Sequence, residues 1–381
     1  MVMKPVPSRR SFLAAGMAVA GAAAQSAKPA FRALGKTGLQ VTPLGFGCMT
    51  TSDPAVIERA ADQGISYFDT ARSYQNGNNE RMVGAALKGK REKLVLSSKS
   101  LGKTPKDALA DLDTSLKELQ TDYLDLWYLH NRSTPAELPD DLLEAQRAAK
   151  KAGKIRFAGV TTHFNMQDML PHLVQRGQTD VALVAYNFTM KPEVTRAIET
   201  ARQAGMGIVS MKVLAGGYAR IQRGDRLYGQ NPAALTATLK QEGAMLAALK
   251  WALKNKSVDT AIVCMTDFDQ LDENLRAMSE PYTGQDEKLL SAQLAALGPL
   301  YCRMCGSCGG VCHKGVRVAD TLRFLTYVEG YGQFAMARER YLGLPADVRR
   351  IRCADCASCP VRCPNQVAVR ERMMRAQELL A

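Results

Sequence analysis

Short apolar runs alternating with helical patterns over residues 31–298 predict a TIM (β/α)8 barrel. Two copies of one cysteine spacing in residues 299–381 predict a small α-rich iron–sulfur domain behind it. The expected strands are 41–47, 66–69, 94–98, 124–130, 155–161, 181–187, 207–212 and 260–264. Helical stretches lie between them at 54–63, 105–119, 141–152, 193–204 and 233–254. Pro105-Lys106-Asp107 and Asp140-Asp141 are helix starts, and Gly64, Gly153 and Gly205 stand where helices stop before the next strand. Eight such units in about 270 residues suit a closed barrel better than an open sheet. Residues 216–232 lack periodicity and read as a long loop near the barrel mouth. The pattern breaks at Gly298-Pro299, and helical character returns at 321–327, 334–341 and 367–380.

The first residues form a leader. Ser8-Arg9-Arg10-Ser11-Phe12-Leu13 precedes an Ala/Gly-rich stretch ending at Ala24, the layout of a twin-arginine signal peptide over residues 1–24. The apolar part is too short for a comfortable membrane span. A periplasmic destination follows, reached through the twin-arginine export machinery. That route resembles one for proteins already folded around their cofactors. Net charge is +13, or +10 without the leader's Lys4, Arg9 and Arg10. This basicity permits anionic substrates or acidic partners, but the cations are scattered and no nucleic-acid module is visible. No second long apolar run follows the leader, so no transmembrane span is expected in the mature chain.

Cys302, Cys305, Cys308 and Cys312 repeat as Cys353, Cys356, Cys359 and Cys363, with Pro364 after the second run. Each run reads C-x2-C-x2-C-x3-C, and close thiolates on one loop reach several corners of a 4Fe-4S cube. A pair of zinc sites or four disulfides are the alternatives. Zinc usually takes paired C-x2-C units, and an exported protein otherwise favours disulfides. The runs resemble those of two-cluster bacterial ferredoxins. That resemblance implies two 4Fe-4S clusters with crossed fourth ligands: Cys302, Cys305, Cys308 with Cys363, and Cys353, Cys356, Cys359 with Cys312. Cys48 and Cys264 stand outside the runs and read as buried small apolar residues.

In a TIM barrel, reacting groups sit at the C-terminal ends of strands. Asp69 and Tyr74 follow strand two, Lys99 follows strand three, and His130 ends strand four. Phe68-Asp69-Thr70-Ala71-x-x-Tyr74, Ser97-Ser98-Lys99 and the segment from Asp125 to His130 resemble the catalytic tetrad of the aldo-keto reductases. The opening Arg32-Ala33-Leu34-Gly35-Lys36-Thr37-Gly38-Leu39 and Gly153-Lys154-Ile155-Arg156 are similar to that family too, one branch of which carries a ferredoxin-like tail. The resemblance implies an oxidoreductase that reduces a small-molecule carbonyl, or oxidises an alcohol, with NADP or NAD. Tyr74 would be the acid, Lys99 the cation beside it, Asp69 the partner of Lys99, and His130 the group that orients the carbonyl oxygen or shares the proton relay.

The same resemblance places Thr161, Asn187, Met211, Lys212, Gln270, Glu273 and Asn274 at the cofactor. Departures accompany it. Thr161, Thr162 and Leu183 stand for the usual Ser, Asn and Gln, Met211 replaces an aromatic platform, and Val263-Cys264 replaces Pro-Gly. Asp267 stands where a cation often meets a 2′-phosphate. A hydride carries two electrons and each cluster takes one, while no G-x-G-x-x-G flavin or dinucleotide motif is present. The competing reading is therefore a periplasmic electron-transfer or partner-binding protein, with a redox partner protein, on a barrel that no longer uses nicotinamide. A sugar-modifying enzyme with a tightly held nicotinamide is a third option. Substrate choice would rest on loops carrying Asn131-Arg132, Tyr218 and Arg220.

Overall fold

The computed structural model describes residues 31–218 and 232–381. The leader expected at 1–24 and most of the loop expected at 216–232, Arg220 included, lie outside the described residues.

A two-stranded antiparallel hairpin opens the fold, β1 (Arg32–Ala33) paired with β2 (Gln40–Val41). Eight parallel strands then close on themselves: β3 (Leu44–Gly47), β4 (Tyr67–Asp69), β5 (Val95–Ser100), β6 (Leu124–Leu129), β7 (Ile155–Thr162), β8 (Val181–Ala185), β9 (Gly207–Met211) and β10 (Thr260–Val263). Each pairs with its neighbour in sequence, and β10 returns to β3 with Ala261 opposite Leu44. The expected 41–47 strand is thus split, its first residue belonging to the hairpin. Leu34, Leu39 and Val41 from the hairpin pack with Tyr67, Leu126, Val181 and Val209 inside the barrel, so the hairpin plugs the N-terminal end. Inside, the Tyr67 and Tyr128 hydroxyls meet at 2.8 Å. Gly159 makes room for this, since a Cβ there would lie 2.3 Å from the Tyr128 ring.

The helices of the outer layer start where local chemistry says they should. Asp53 caps α1 (Pro54–Asp62), and Thr104 caps α3 (Pro105–Leu119), each with proline at the first helical position. Between them lies α2 (Asn78–Ala86), and after them come α4 (Asp140–Lys151), α5 (Met166–Arg176) and α6 (Pro192–Gln203). The helix expected at 233–254 is two helices, α7 (Pro232–Leu239) and α8 (Ala244–Lys254). Gly243 breaks it, its φ of 79° being left-handed and non-helical. After β10 come α9 (Phe268–Leu275) and α10 (Gly284–Leu297).

The tail holds α11 (Val318–Glu329), α12 (Phe334–Leu342), α13 (Ala346–Arg350) and α14 (Val369–Leu380). It has two small apolar cores. One gathers Phe324, Leu325, Tyr327, Ala337, Tyr341, Ala376 and Leu380. The other packs Val318, Leu322, Val361, Val367, Val369 and Met373 against both cysteine runs. Arg372 and Glu329 form a buried ion pair between α14 and α11. The tail docks on the barrel's C-terminal face: Asn165 N donates to Met304 O at 3.1 Å, Gln167 Nε2 to Cys305 O at 3.2 Å. At Gly330 the approach is so close that a Cβ would meet Gly216 O at 2.1 Å. Among the described residues no helix is long and apolar enough to cross a membrane.

Candidate active site

Three strand ends bring the tetrad together. Asp69 ends β4 and Lys99 lies in β5, opposite Tyr128 of β6. Lys99 Nζ donates to Asp69 Oδ2, to Thr70 O at 2.7 Å and to the Tyr74 hydroxyl at 3.1 Å. Ser97 Oγ fixes the other carboxylate oxygen of Asp69 at 2.7 Å. The edge of the Tyr74–His130 pair completes the group, with ring centroids 6.0 Å apart.

Tyr74 is held by an unusual turn. Gln75, Asn76 and Gly77 all have positive φ, and a Cβ at Gly77 would collide with the Arg72 guanidinium 1.8 Å away. Arg72 is in turn paired with buried Glu80. Asn79 accepts from Thr70 Oγ1 at 2.6 Å and donates to Cys48 O at 2.8 Å, tying the turn to β4 and β3. The turn is over-determined, so the phenol has one place to go.

Burial sets the electrostatics. It pushes the Tyr74 phenol up to about 12 against the opposing pull of Lys99. Burial pulls the Lys99 ammonium down, but Asp69 and Tyr74 outweigh it and leave it above the ordinary lysine range. The His130 imidazole is driven well below its ordinary value, first by burial, then by Lys99, Arg340 and Arg323. It is therefore neutral at neutral pH.

A cleft of about 530 Å³ lies over this group. Asp69, Tyr74 and His130 form one end of it, and Met211, Lys212, Gln270, Glu273 and Asn274 lie along its barrel wall. Thr161 and Asn187 do not line it. Thr161 Oγ1 accepts from Asn131 N at 2.7 Å, and Asn187 is spent on Lys212 O, the Tyr301 hydroxyl and Thr189. Two further expectations change. Cys264 lines the cleft, whereas Cys48 is buried as expected. Tyr218 is buried edge-on to Tyr301 with centroids 6.4 Å apart, away from the cleft. The first turn of α9 is already closed, since Asp267 Oδ1 accepts from Gln270 N at 2.9 Å.

Several cleft residues escaped the sequence. His163 follows β7, its ring 5.9 Å from that of His130, and its Nδ1 is buried without a partner. The strand-end rule that found His130 could have found it. Arg323, Tyr327 and Tyr331 of the α11 region and Arg340 of α12 form the opposite wall. Nothing in the sequence says that this tail helix pair lies over a barrel.

The cysteines of the tail form two groups. Burial raises the Cys302 thiol to about 12, and Cys308, Cys305 and Cys363 add to the rise. Burial raises Cys353 to about 11, with Cys312, Cys356 and Cys359 adding. Cys302 and Cys353 thus each feel two thiols of their own run and one of the other. None of the ten cysteines is in a disulfide. Among the described residues no three His, Cys, Asp or Glu side chains converge closely enough for a single metal ion.

Comparison with known proteins agrees with the barrel. Arabidopsis thaliana L-galactose dehydrogenase is 28% identical over 303 residues, covering 71% of this chain and 94% of that protein. L-glyceraldehyde 3-phosphate reductase of Escherichia coli strain K12 is 25% identical over 305 residues, covering 65% and 87%. Among solved structures, the holo form of an aldo-keto reductase from Bacillus halodurans superposes with a TM-score of 0.58 at 26% identity, covering 69% of this chain and 95% of that one. Residues 43–293 match the Aldo/keto reductase family, and this chain is a member of that family of oxidoreductases, which typically depend on NAD(P)H.

Proposed function

We propose that this protein is a nicotinamide-dependent carbonyl reductase or alcohol dehydrogenase with Tyr74, Lys99, Asp69 and His130 as its reacting centre. One observation carries the reading: a buried Lys99 ammonium stands 3.1 Å from a phenol at the mouth of the barrel, with a carboxylate behind it. The cleft is long enough to reach from this centre to α9, and Met211, Lys212, Gln270, Glu273 and Asn274 would hold a dinucleotide there. Asp267, a carboxylate at the head of α9, disfavours a 2′-phosphate and so favours NADH over NADPH. The nicotinamide, when bound, supplies a hydride to the carbonyl carbon.

The chain's own residues do the rest. Tyr74 gives its hydroxyl proton to the carbonyl oxygen as charge develops there. Burial alone makes the phenol a poor acid, and Lys99 stabilises the phenolate that is left. Asp69 keeps Lys99 in place and balances it. His130, kept neutral, serves as a hydrogen-bond donor to the same oxygen and not as a proton source. In the reverse direction the phenolate takes the alcohol proton.

The tail, residues 299–381, would hold two 4Fe-4S clusters in the crossed pairing, a reading supported by the two cysteine runs packing against one apolar core. A cubane takes each thiolate at a separate iron, so its ligands surround a volume and need not converge on a point. The clusters would supply one-electron transfer or hold the tail together. The arginine-pair leader supports export of the folded, metal-loaded chain to the periplasm.

The test uses the full chain prepared without oxygen. NADH and NADPH are titrated by fluorescence, and aldehyde reduction is compared with Tyr74→Phe. Turnover should fall by about 10²–10⁴-fold while the fold is kept. Undiminished turnover in the variant refutes the assignment. Failure of both nucleotides to bind, with redox-active clusters present, favours the electron carrier instead.

A further inference from the structure

Arg323, Tyr327 and Arg340 lie beyond residues 43–293, the part of the chain that matches the family. Yet they wall the cleft directly opposite the barrel's own residues. The tail therefore decides part of what the cleft can hold, and its contribution is positive charge.

The charges balance unevenly. Lys99 is answered by Asp69. Asp320 is shared by two cations, Arg323 at 2.8 Å and Arg317 at 2.7 Å. Lys212 and Arg340 have no carboxylate partner among the described residues; Arg340 donates only to Ser73 O, at 3.0 Å. Glu273 is the remaining acid of the wall and sits at the α9 end. Positive charge is thus in surplus at the Tyr74 end, inside a partly buried space where it is weakly screened.

Two local features show that the surplus is built in. Lys212 holds a left-handed backbone, φ 57°, its carbonyl fixed by Asn187 Nδ2 at 3.0 Å, and its Nζ lies 5.2 Å from the Tyr327 ring centroid. Strain of that kind persists where the surroundings enforce it. Arg323 Nη1 donates to the Tyr327 hydroxyl at 3.2 Å, while its Nε is buried without a partner. Burial alone would raise the Tyr327 phenol; Lys212, Arg323 and Arg340 outweigh it and bring it down to about 8. A phenol so depressed registers a strongly positive potential.

We propose that the cleft binds a carbonyl or alcohol substrate bearing a carboxylate or phosphate, seated between Arg323 and Arg340 beside Tyr327, with Lys212 left to the dinucleotide side. The proposal rests on the reductase reading above, whose substrate class it names. A dinucleotide pyrophosphate offers the same chemistry. The arginines, however, stand at the reacting end: Arg340 holds the residue next to Tyr74, and both arginines bear on His130. The anionic group belongs to the substrate.

Succinate and inorganic phosphate are titrated calorimetrically into the full chain, with and without saturating NADH. In parallel, kcat/KM is measured for succinic semialdehyde and for butanal. Both anions should bind at either NADH level, and the acid aldehyde should be preferred at least tenfold. Arg323→Met and Arg340→Met should each lower that preference about tenfold, and Arg323→Lys should recover part of it. Should Arg323→Met fail to fold, Arg340→Met and Arg323→Lys carry the same reading. Anion binding abolished by NADH assigns the charge to the dinucleotide and overturns the proposal. An acid preference absent in the wild type, or unmoved in the variants, overturns it too. If neither aldehyde is turned over, the reductase reading fails on its own. The anion titrations, repeated with Arg323→Met and Arg340→Met, then decide: binding weakened in the variants keeps the anion site, and unchanged or absent binding removes it.

Discussion

The barrel and the tail hold themselves together by different means. The barrel is closed by an unbroken ring of backbone ladders, and a large apolar layer binds its helices to it. The tail has four helices and no strand among its described residues, two apolar cores of seven and six buried residues, and a buried charge pair between two helices. Such small cores rarely suffice alone. The difference teaches where each region's order comes from: hydrogen-bonded geometry in one, side-chain clasps in the other. It also explains why the proposed reacting groups sit on barrel strands or just after them, where position is precise, while the tail supplies charge from helices that only need to be near.

Cysteine substitution should break this comparison most severely. Cys363→Ser and Cys312→Ser each remove one thiol from a crossed group. On the proposed two-cluster reading, each should leave about four of eight irons per chain and make residues 299–381 sensitive to protease, while the barrel's far-UV spectrum survives. Iron and acid-labile sulfide analysis with limited proteolysis reads this directly. A tail that stays resistant with all cysteines replaced would show that metal contributes nothing to its folding.

Next comes the buried pair. Glu329 accepts from Arg372 Nη1 at 3.1 Å, and both side chains are almost wholly buried. Removing one partner strands the other charge, so Glu329→Gln should cost about 3–5 kcal/mol. Urea unfolding followed in the tail should show the loss, and the barrel transition should stay in place. Replacing both residues with apolar ones should recover much of it.

The seam between the regions has its own signature in pH. Burial keeps His130 and His163 neutral in the folded chain, well below the ordinary histidine value of 6.5. The unfolded chain binds a proton at each below that pH, so their contribution is complete above about 6.5 and is lost as pH falls further. Each histidine should add about 1.4 kcal/mol per pH unit to the acid slope. His163→Gln should flatten the slope of stability between pH 6 and 5 by that amount. An unchanged slope would mean that His163 titrates normally.

Legibility in the sequence divides along the same line. Strand period and helix stops gave all eight barrel strands to within three residues at either end, because those signals are local. That Asp69, Lys99 and His130 come to one face was readable because strand ends must converge there. What sequence could not carry was contact between regions. Residues 321–327 read as helical, but that Arg323 and Tyr327 look into the barrel depends on how α11 docks beside Gly216 and Phe164. The placement of Asn187 has a related cause: its amide is used by Lys212 and by Tyr301, a partner 114 positions away. The single helix expected at 233–254 failed on a local signal that was present, Gly243, whose left-handed turn separates α7 from α8.

The mildest perturbation sharpens the comparison by staying inside one region. Thr104 Oγ1 accepts from Asp107 N at 3.2 Å and donates to Asp107 Oδ2 at 2.8 Å, closing the first turn of α3. Thr104→Ala frees that amide and should cost about 1 kcal/mol. The far end of α3 is fixed independently, its Leu119 backbone lying where a Cβ on Gly84 would fall at 2.7 Å, so the helix frays only at its start. Thermal unfolding should therefore shift for the barrel alone, with iron content and tail protection unchanged. Movement of the tail transition by the same amount would show that the two regions unfold as one unit, and the division drawn between them would go.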